Sequence, residues 1–229
     1  MKKLLMLITA ILMIISISAC GCASDFVEIG EVIQFGKYNW LVLDIKDGKA
    51  LIIAENAVEP NIYEFMLTDV TWETSFLRGY LNDRFLQNFT AEEQSRIAET
   101  QIKNPDNLWY GTPGGADTND KIFLLSIEEA DKYFGDSGDY LNKKRKSWKD
   151  GEGFEEKENG RTLSNTHDDE RAAILDYGPT WWWLRSPGAN NLCAACVNIG
   201  GSIDVSGRDV DAMNHEMGGV RPVLWLIPE

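Results

Sequence analysis

The chain has 229 residues, of which 44% are hydrophobic and 25% are charged, and its formal net charge is −14. This length suits one domain with a sizeable hydrophobic core and is short for two. The excess of acidic residues disfavours a nucleic-acid partner, because binding to phosphates requires a basic face. The same excess disfavours docking on anionic lipid by electrostatics alone.

The N-terminal 19 residues have the composition of a secretory signal peptide. Two lysines precede an apolar run, 4–17, that is shorter than the roughly 20 residues of a membrane-spanning helix. Residues 17–20 (ISAC) resemble the lipobox of bacterial lipoproteins, in which a branched apolar residue and two small residues precede a cysteine. This resemblance implies cleavage before Cys20 and attachment of lipid to the Cys20 thiol. The alternatives are an ordinary cleaved signal with an incidental cysteine, and an uncleaved anchor.

The cysteines of the chain do not predict a disulfide framework. Lipidation would use Cys20 and would leave an odd number of thiols, at Cys22, Cys193 and Cys196. We therefore expect a core of ordinary composition to hold the fold, with residues 20–28 as a short tether. The predicted location is the outer face of the bacterial membrane, to which the protein is attached through the lipid.

Strands are predicted directly after the tether. An aromatic and β-branched run at 38–45 and an apolar run at 50–54 flank the pair Asp47-Gly48. An Asp-Gly pair between two such runs predicts a β-hairpin with a type I′ turn, because glycine readily takes the positive φ that this turn requires.

Helices are predicted in the following part of the chain. Apolar side chains at the spacing of one helix face predict a helix after Ser75: Leu77, Tyr80, Leu81 and Phe85. Two capping boxes, Thr90 with Glu93 and Ser126 with Glu129, predict the beginning of two more helices. The second of these is expected to end at Gly135.

The rest of the chain divides into a polar segment and a second group of strands. Residues 136–178 carry runs of charge and are predicted to be a solvated loop insertion within a single domain, 29–229. Residues 181–227 are strand-like with glycine-containing turns, and they predict an antiparallel meander. Strands, then helices, then strands indicate an α+β fold with antiparallel strands and two or three helices in the N-terminal half.

Several segments resemble a known but uncharacterised domain family of bacterial exported proteins. They include 35–40 (FGKYNW), 120–126 (DKIFLLS), 182–188 (WWLRSPG) and 219–224 (GVRPVL). The resemblance spans about residues 30–226 and implies no assigned activity. The same pattern is distantly similar to the C-type-lectin-like fold of formylglycine-generating, sulfatase-modifying enzymes, and this similarity implies a related core sheet.

The C-terminal motifs allow two interpretations. Strand alternation places Trp182 on one face and its two tryptophan neighbours on the other, so that one face fills the core. In the structural interpretation, the arginines pair with a carboxylate or with backbone carbonyls and fix the chain geometry. In the functional interpretation, an aromatic platform and guanidinium groups line a cleft for a polar ligand, at Trp183, Arg185, Ser186 and Arg221.

Cys193 and Cys196 form a Cys-x-x-Cys pair that allows several interpretations. They could be a redox pair, half of a metal site, a disulfide, or two unpaired thiols, and the unpaired state is favoured because no βαβ pattern surrounds them. His167 and His215, the only histidines, match no zinc-site spacing. The sulfatase-modifying enzymes use a cysteine pair in this part of their fold, but their spacing is wider.

Two short segments also resemble the tripeptides with which C-type lectins bind calcium and sugar. They are 59–61 (EPN) and 118–120 (TND). Their order along the chain differs from that in lectins, where both lie near a C-terminal loop.

The sequence thus predicts a membrane-anchored surface lipoprotein that acts as a non-catalytic binding module, without a cofactor. The expected ligand is an extracellular polymer, peptide or protein. One alternative is an oxidase-like enzyme related to the formylglycine-generating enzymes, which would use Cys193 and Cys196. The other is a structural partner in a cell-surface assembly.

Overall fold

The computed structural model describes residues 27–136, 138, 162–176, 178–212 and 218–228, and these residues form an α+β fold. The predicted signal peptide, Cys20, Cys22 and His215 lie outside them. The strands of this part of the chain are, in order, β1 (Val32–Phe35), β2 (Tyr38–Lys46), β3 (Lys49–Ala54), β4 (Glu59–Pro60), β5 (Ile97–Ala98), β6 (Thr100–Ile102), β7 (Thr118–Asp120), β8 (Ile122–Phe123), β9 (Thr162–Leu163), β10 (Ala173–Leu175), β11 (Gly178–Thr180), β12 (Trp182–Pro187), β13 (Cys193–Val197), β14 (Ile203–Asp209), β15 (Gly219–Val220) and β16 (Val223–Leu226).

The N-terminal hairpin has the turn that the sequence predicts. Asp47 and Gly48, between β2 and β3, have φ values of 51° and 71°. Positive φ at both central residues is the requirement of a type I′ turn, so this prediction is confirmed.

The first sheet joins the two ends of the chain. Its order is β1-β2-β3-β16-β5, and β8 also pairs with β16. Val223 on β16 lies opposite Ile53 on β3, and Leu224 lies opposite Ile52. The closing strand is therefore an inner strand of the N-terminal sheet.

The second sheet has the order β4-β15-β12-β13-β14-β9. The predicted meander is confirmed for β12, β13 and β14, which are antiparallel neighbours. It is wrong for the last segment, because β15 pairs with β12 in parallel and β16 leaves for the first sheet. The break falls at Arg221-Pro222, and proline lacks the amide hydrogen that a continuous ladder would need.

Residues 203–209 form one strand, β14. Its pairing register with β13 shifts between Asp204 and Arg208, and Gly207 in this interval has a φ of +75°. A Cβ atom at Gly207 would lie 2.2 Å from the carbonyl oxygen of Ala194, so the two backbones approach too closely for any side chain.

The polar insertion predicted for 136–178 differs from the structure at its C-terminal end. Residues 162–176 and 178 contain β9, a short helix α4 (Asp168–Arg171), and β10 with the first residue of β11. β9 extends the second sheet by pairing with β14. Arg171 is fully buried, so this end of the segment is part of the folded domain.

Three other helices lie in the N-terminal part: α1 (Phe76–Tyr80), α2 (Ala91–Arg96) and α3 (Ile127–Asp131). Of the four residues predicted to form one helix face, Leu77, Leu81 and Phe85 are fully buried and Tyr80 is partly buried; the helix continues beyond α1 as a π-helix, Leu81–Phe85. Both capping boxes are present, at the beginning of α2 and of α3.

Buried side chains of both sheets and of the helices belong to one hydrophobic cluster. None of the helices in the described part of the chain is long and apolar enough to cross a membrane.

Candidate functional site

Arg185, on β12, lies inside the domain and uses its guanidinium to join three segments. It donates hydrogen bonds to the carbonyls of Leu124 (2.7 Å) and Lys103 (2.9 Å) and forms a two-pronged ion pair with Glu129. Burial raises the pKa of the Glu129 carboxyl, but the charge and hydrogen bonds of Arg185 outweigh it, so that this pKa is lowered. The guanidinium group is planar and holds its N–H donors in a fixed geometry, which suits binding to two carbonyls and a carboxylate at once.

Ser186 and Trp183, on the same strand, are also held by contacts within the chain. The Ser186 hydroxyl accepts a hydrogen bond from the amide of Ile127 at 3.0 Å. The Trp183 indole donates to the carbonyl of Asn61 at 2.9 Å. Its ring packs edge-on against Trp181, with the ring centroids 4.6 Å apart, as strand alternation predicts.

Arg221 fills the junction between the two sheets. Its guanidinium donates to the carbonyls of Ala54 (2.8 Å), Glu55 (2.9 Å) and Arg171 (3.3 Å). It also lies 5.2 Å from the ring centroid of Trp182. Burial lowers the pKa of Arg221 to about 10.

The four residues that the sequence predicted to line a ligand cleft are buried in this structure. Each is at most 5% exposed: Trp183, Arg185, Ser186 and Arg221. Their side chains make hydrogen bonds to atoms of the chain itself, although Nε of Arg185 is buried without a hydrogen-bond partner among the described residues. The motif therefore holds the two sheets, α3 and the neighbouring loops together.

The cysteine pair of β13 consists of two free thiols. The Cys193 sulfur lies 3.5 Å from Oδ1 of Asp209, and burial together with this carboxylate raises the pKa of the Cys193 thiol to about 11. Burial raises the pKa of Cys196 to about 12. Because the thiolate is the nucleophile and the metal ligand, both groups are weakly reactive at neutral pH. No group of three potential metal ligands occurs within the described residues.

The two lectin-like tripeptides lie in different sheets. Residues 59–60 form β4, whereas residues 118–120 form β7. The buried Asp120 carboxylate accepts hydrogen bonds from the Trp72 indole (2.9 Å), Arg78 (2.7 Å) and Thr118 (2.7 Å). These donors occupy the oxygens that a calcium ion would need.

A surface that the sequence analysis missed lies between β4 and α1. Phe65, Met66 and Leu67 are consecutive and 47–66% exposed, and we call them the apolar loop. The Phe65 ring lies 4.1 Å from that of Phe76, which extends the aromatic surface onto α1. In the sequence, this surface could have been recognised from three consecutive large apolar residues that polar residues flank on both sides.

Glu64 fixes the apolar loop in place. Its carboxylate accepts hydrogen bonds from the amides of Phe65 (2.8 Å) and Phe76 (3.0 Å), and its own amide donates to the carbonyl of Val210 (2.9 Å). Within the loop, the Thr68 amide donates to the carbonyl of Met66 at 2.8 Å. The exposed side chains are therefore presented by a backbone that is tied to α1 and to Val210, the residue after β14.

Comparison with known proteins yields one match. The model of the family described as "Domain of unknown function (DUF6273)" matches residues 47–228. No curated protein and no solved structure matches the chain.

Proposed function

The chain belongs to the DUF6273 family, and because the function of this family is unknown, we propose one from the geometry: the protein is a lipid-anchored, non-catalytic module that binds an extracellular protein or peptide through the apolar loop. The observation that carries this proposal is the exposure of Phe65, Met66 and Leu67 on a fixed backbone. Contiguous exposed apolar side chains mark interaction sites, and aromatic residues and methionine are enriched at protein interfaces.

The surroundings of the apolar loop indicate the chemistry of the partner. Asp69 and Glu73 are exposed close to the loop in the chain, and the whole protein has a net charge of −14. A polar rim around an apolar centre is the usual arrangement of an interface. The proposed partner presents apolar side chains flanked by lysine or arginine.

The internal contacts of the motif residues support a non-catalytic role. Arg185 and Arg221 bind groups of the chain itself, and the thiols of Cys193 and Cys196 have raised pKa values. A guanidinium or thiol acts on a substrate only when it can reach that substrate in its reactive form.

The proposed location is the outer face of the bacterial membrane, with lipid on Cys20. We also propose a distant relationship to the C-type-lectin-like fold. It is supported by the order of the C-terminal strands, in which β12, β13 and β14 are antiparallel neighbours and the last segment crosses to the sheet that contains the N-terminal strands. Fold relationship alone does not fix function.

Site-specific photocrosslinking in intact cells tests the proposed partner. The photoreactive residue p-benzoylphenylalanine would replace Phe65, or, as the control, Ile174, an equally apolar residue that is 49% exposed on β10. We expect a discrete protein adduct from position 65 only. Met66→Ser combined with Leu67→Ser should abolish that adduct without lowering the melting temperature. Adducts of equal yield from position 174, or adducts that persist in the double variant, would overturn the proposal.

A further inference from the structure

A groove of about 420 Å³ runs along the edge strand β1. Its walls combine apolar residues with Glu31, Gln34 and Arg96. The apolar ones include Val27, Val32, Phe35, Ala50, Leu226 and Pro228. β1 is the outer strand of the first sheet, so the groove opens at the sheet edge.

Large apolar side chains surround this groove and face solvent. Ile29, Val32, Ile45 and Ile227 are 40–63% exposed. Val32 lines the groove, Ile227 lies between two lining residues, and Ile45 lies opposite Ala50 across the hairpin. Four such residues at one end of a sheet form a surface of the kind that marks a contact with a partner or a membrane. We call this surface the anchor face.

The charge of the anchor face differs from that of the chain. Basic and acidic residues both lie beside it: Lys46, Lys49 and Arg96 with Glu28, Glu31, Asp44 and Asp47. The chain as a whole has a net charge of −14. The three basic side chains offset much of the acidic charge at this face, which weakens its repulsion by an anionic membrane surface.

Trp225 lies at the same end of the sheet as the groove, but on the opposite face of β16 from the groove-lining Leu226. It is half-buried and lines a shallow pocket together with Lys46 and Lys49. Tryptophan and lysine are enriched where proteins meet the membrane–water interface, because each combines an apolar body with a polar end.

The position of the chain end brings this face to the bilayer. Val27, which lines the groove, is seven residues after Cys20. An extended chain spans at most about 3.6 Å per residue, so this tether holds Val27 within about 25 Å of a lipid on Cys20.

We propose that the anchor face docks on the phospholipid bilayer into which the lipid of Cys20 is inserted, with its apolar side chains at the boundary of headgroups and acyl chains. This inference rests on the lipid anchor of the proposed function. Docking would orient the domain, because a single tether alone leaves it free to rotate. A lipid chain and an apolar face together also bind more stably than either alone.

Photocrosslinking to lipid tests this orientation. The full-length lipidated protein would be reconstituted into phosphatidylcholine nanodiscs that contain a diazirine-labelled acyl chain, and adducts would be mapped by mass spectrometry. We expect adducts in residues 28–35, 45–49 and 225–228. Val32→Asp combined with Ile227→Asp should lower their yield at least tenfold, whereas Ile174→Asp should leave it unchanged.

The outcomes of this experiment distinguish a failure of docking by the anchor face from a failure of the proposed lipid anchor. Docking by the anchor face would be overturned if adducts were distributed over the whole surface, or if the double variant gave the same adduct yield as the wild type. Neither result would contradict the lipid anchor. Adducts confined to 64–68 would overturn docking by the anchor face too, and would assign the apolar loop to the membrane instead of a protein partner. Intact mass without lipid on Cys20 would refute the anchor itself. Adding anionic phosphatidylglycerol should change the yield less than twofold, since the face is near neutral.

Discussion

The Arg185 guanidinium and the Glu129 carboxylate meet as an ion pair that connects the centre of the second sheet to the first turn of α3. Glu129 also accepts a hydrogen bond from the amide of Ser126, so one carboxylate both caps the helix and neutralises the arginine. The same two terminal nitrogens of Arg185 also donate to the carbonyls of Leu124 and Lys103. A single buried side chain thereby fixes the relative positions of a strand, a helix and a loop.

Replacing Arg185 by methionine should destabilise the fold by about 3 kcal/mol, because it leaves a carboxylate and two carbonyls without their donors. The free energy of unfolding in urea is the measurement. Lys132→Met is the matched control, since Lys132 is 56% exposed and its nitrogen lies 3.8 Å from Asp44. An exposed pair of this kind contributes less than about 1 kcal/mol. Equal losses in the two variants would contradict the role of Arg185.

The same pair predicts a pH dependence. Although burial alone would raise it, the pKa of Glu129 is lowered in the folded protein by Arg185. A carboxyl with a lowered pKa contributes stability above its unfolded pKa, about 4.3, and loses it as the pH falls through the folded value. The stability difference between the wild type and Glu129→Gln should therefore be largest above about pH 5 and shrink at lower pH. A difference that stays constant from pH 7 to pH 3 would show that the charge of Glu129 does not contribute.

The locally determined parts of the fold could be predicted from the sequence. The turn at Asp47-Gly48, the two capping boxes and the buried face of α1 each depend on residues within one or two turns of chain. Alternation along β12 likewise predicted that Trp181 and Trp183 share a face.

Pairings between distant segments could not be predicted in this way. The pattern of β16 is that of a buried strand, but nothing in it indicates that its partner is β3, about 170 residues earlier. The same limit applies to the site: a tryptophan–arginine motif looks the same whether it faces a cleft or a neighbouring strand. The exposure of Phe65 depends on which elements leave it uncovered, so composition alone could not assign it to the surface.

Asn107 links a long loop to the second sheet. Its side-chain amide donates to the carbonyls of Pro187 (2.8 Å) and Val205 (2.8 Å), and its oxygen accepts from the amides of Trp109 and Tyr110. Asn107→Asp replaces the donor by an acceptor that faces carbonyls, and we expect a loss of about 3 kcal/mol in the free energy of unfolding. Asn119→Asp, an exposed position, should cost less than about 0.5 kcal/mol. A loss at position 107 no larger than at 119 would show that the link is dispensable.

The thiols of β13 should be inert in the native protein. With a pKa of about 11, Cys193 is almost fully protonated at pH 8. We expect alkylation by iodoacetamide about 100-fold slower than for an ordinary cysteine, whose pKa is about 8.5, in a Cys22→Ala background. Urea should expose both thiols and restore the normal rate.

Copper binding separates this prediction from the oxidase-like alternative. A protein that uses Cys193 and Cys196 in copper-dependent oxidation must bind Cu(I) through both thiolates. We expect no binding that depends on these two residues, as measured by competition with a chromophoric chelator against a Cys193→Ser, Cys196→Ser control. Binding that this control lacks would favour the enzyme over the binding module.

Cys20 decides whether the protein is anchored as proposed. The lipobox resemblance implies that lipid is attached to the Cys20 thiol and that cleavage falls before this residue, so Cys20→Ala should leave the precursor unprocessed or release the protein from the membrane. Membrane fractionation and intact mass measure the two results. Cys22→Ala is the control, because the residues before Cys22 lack a branched apolar residue at the required position, and this variant should stay processed and lipidated. A Cys20→Ala protein that is both processed and membrane-bound would mean that another feature of the chain holds it there.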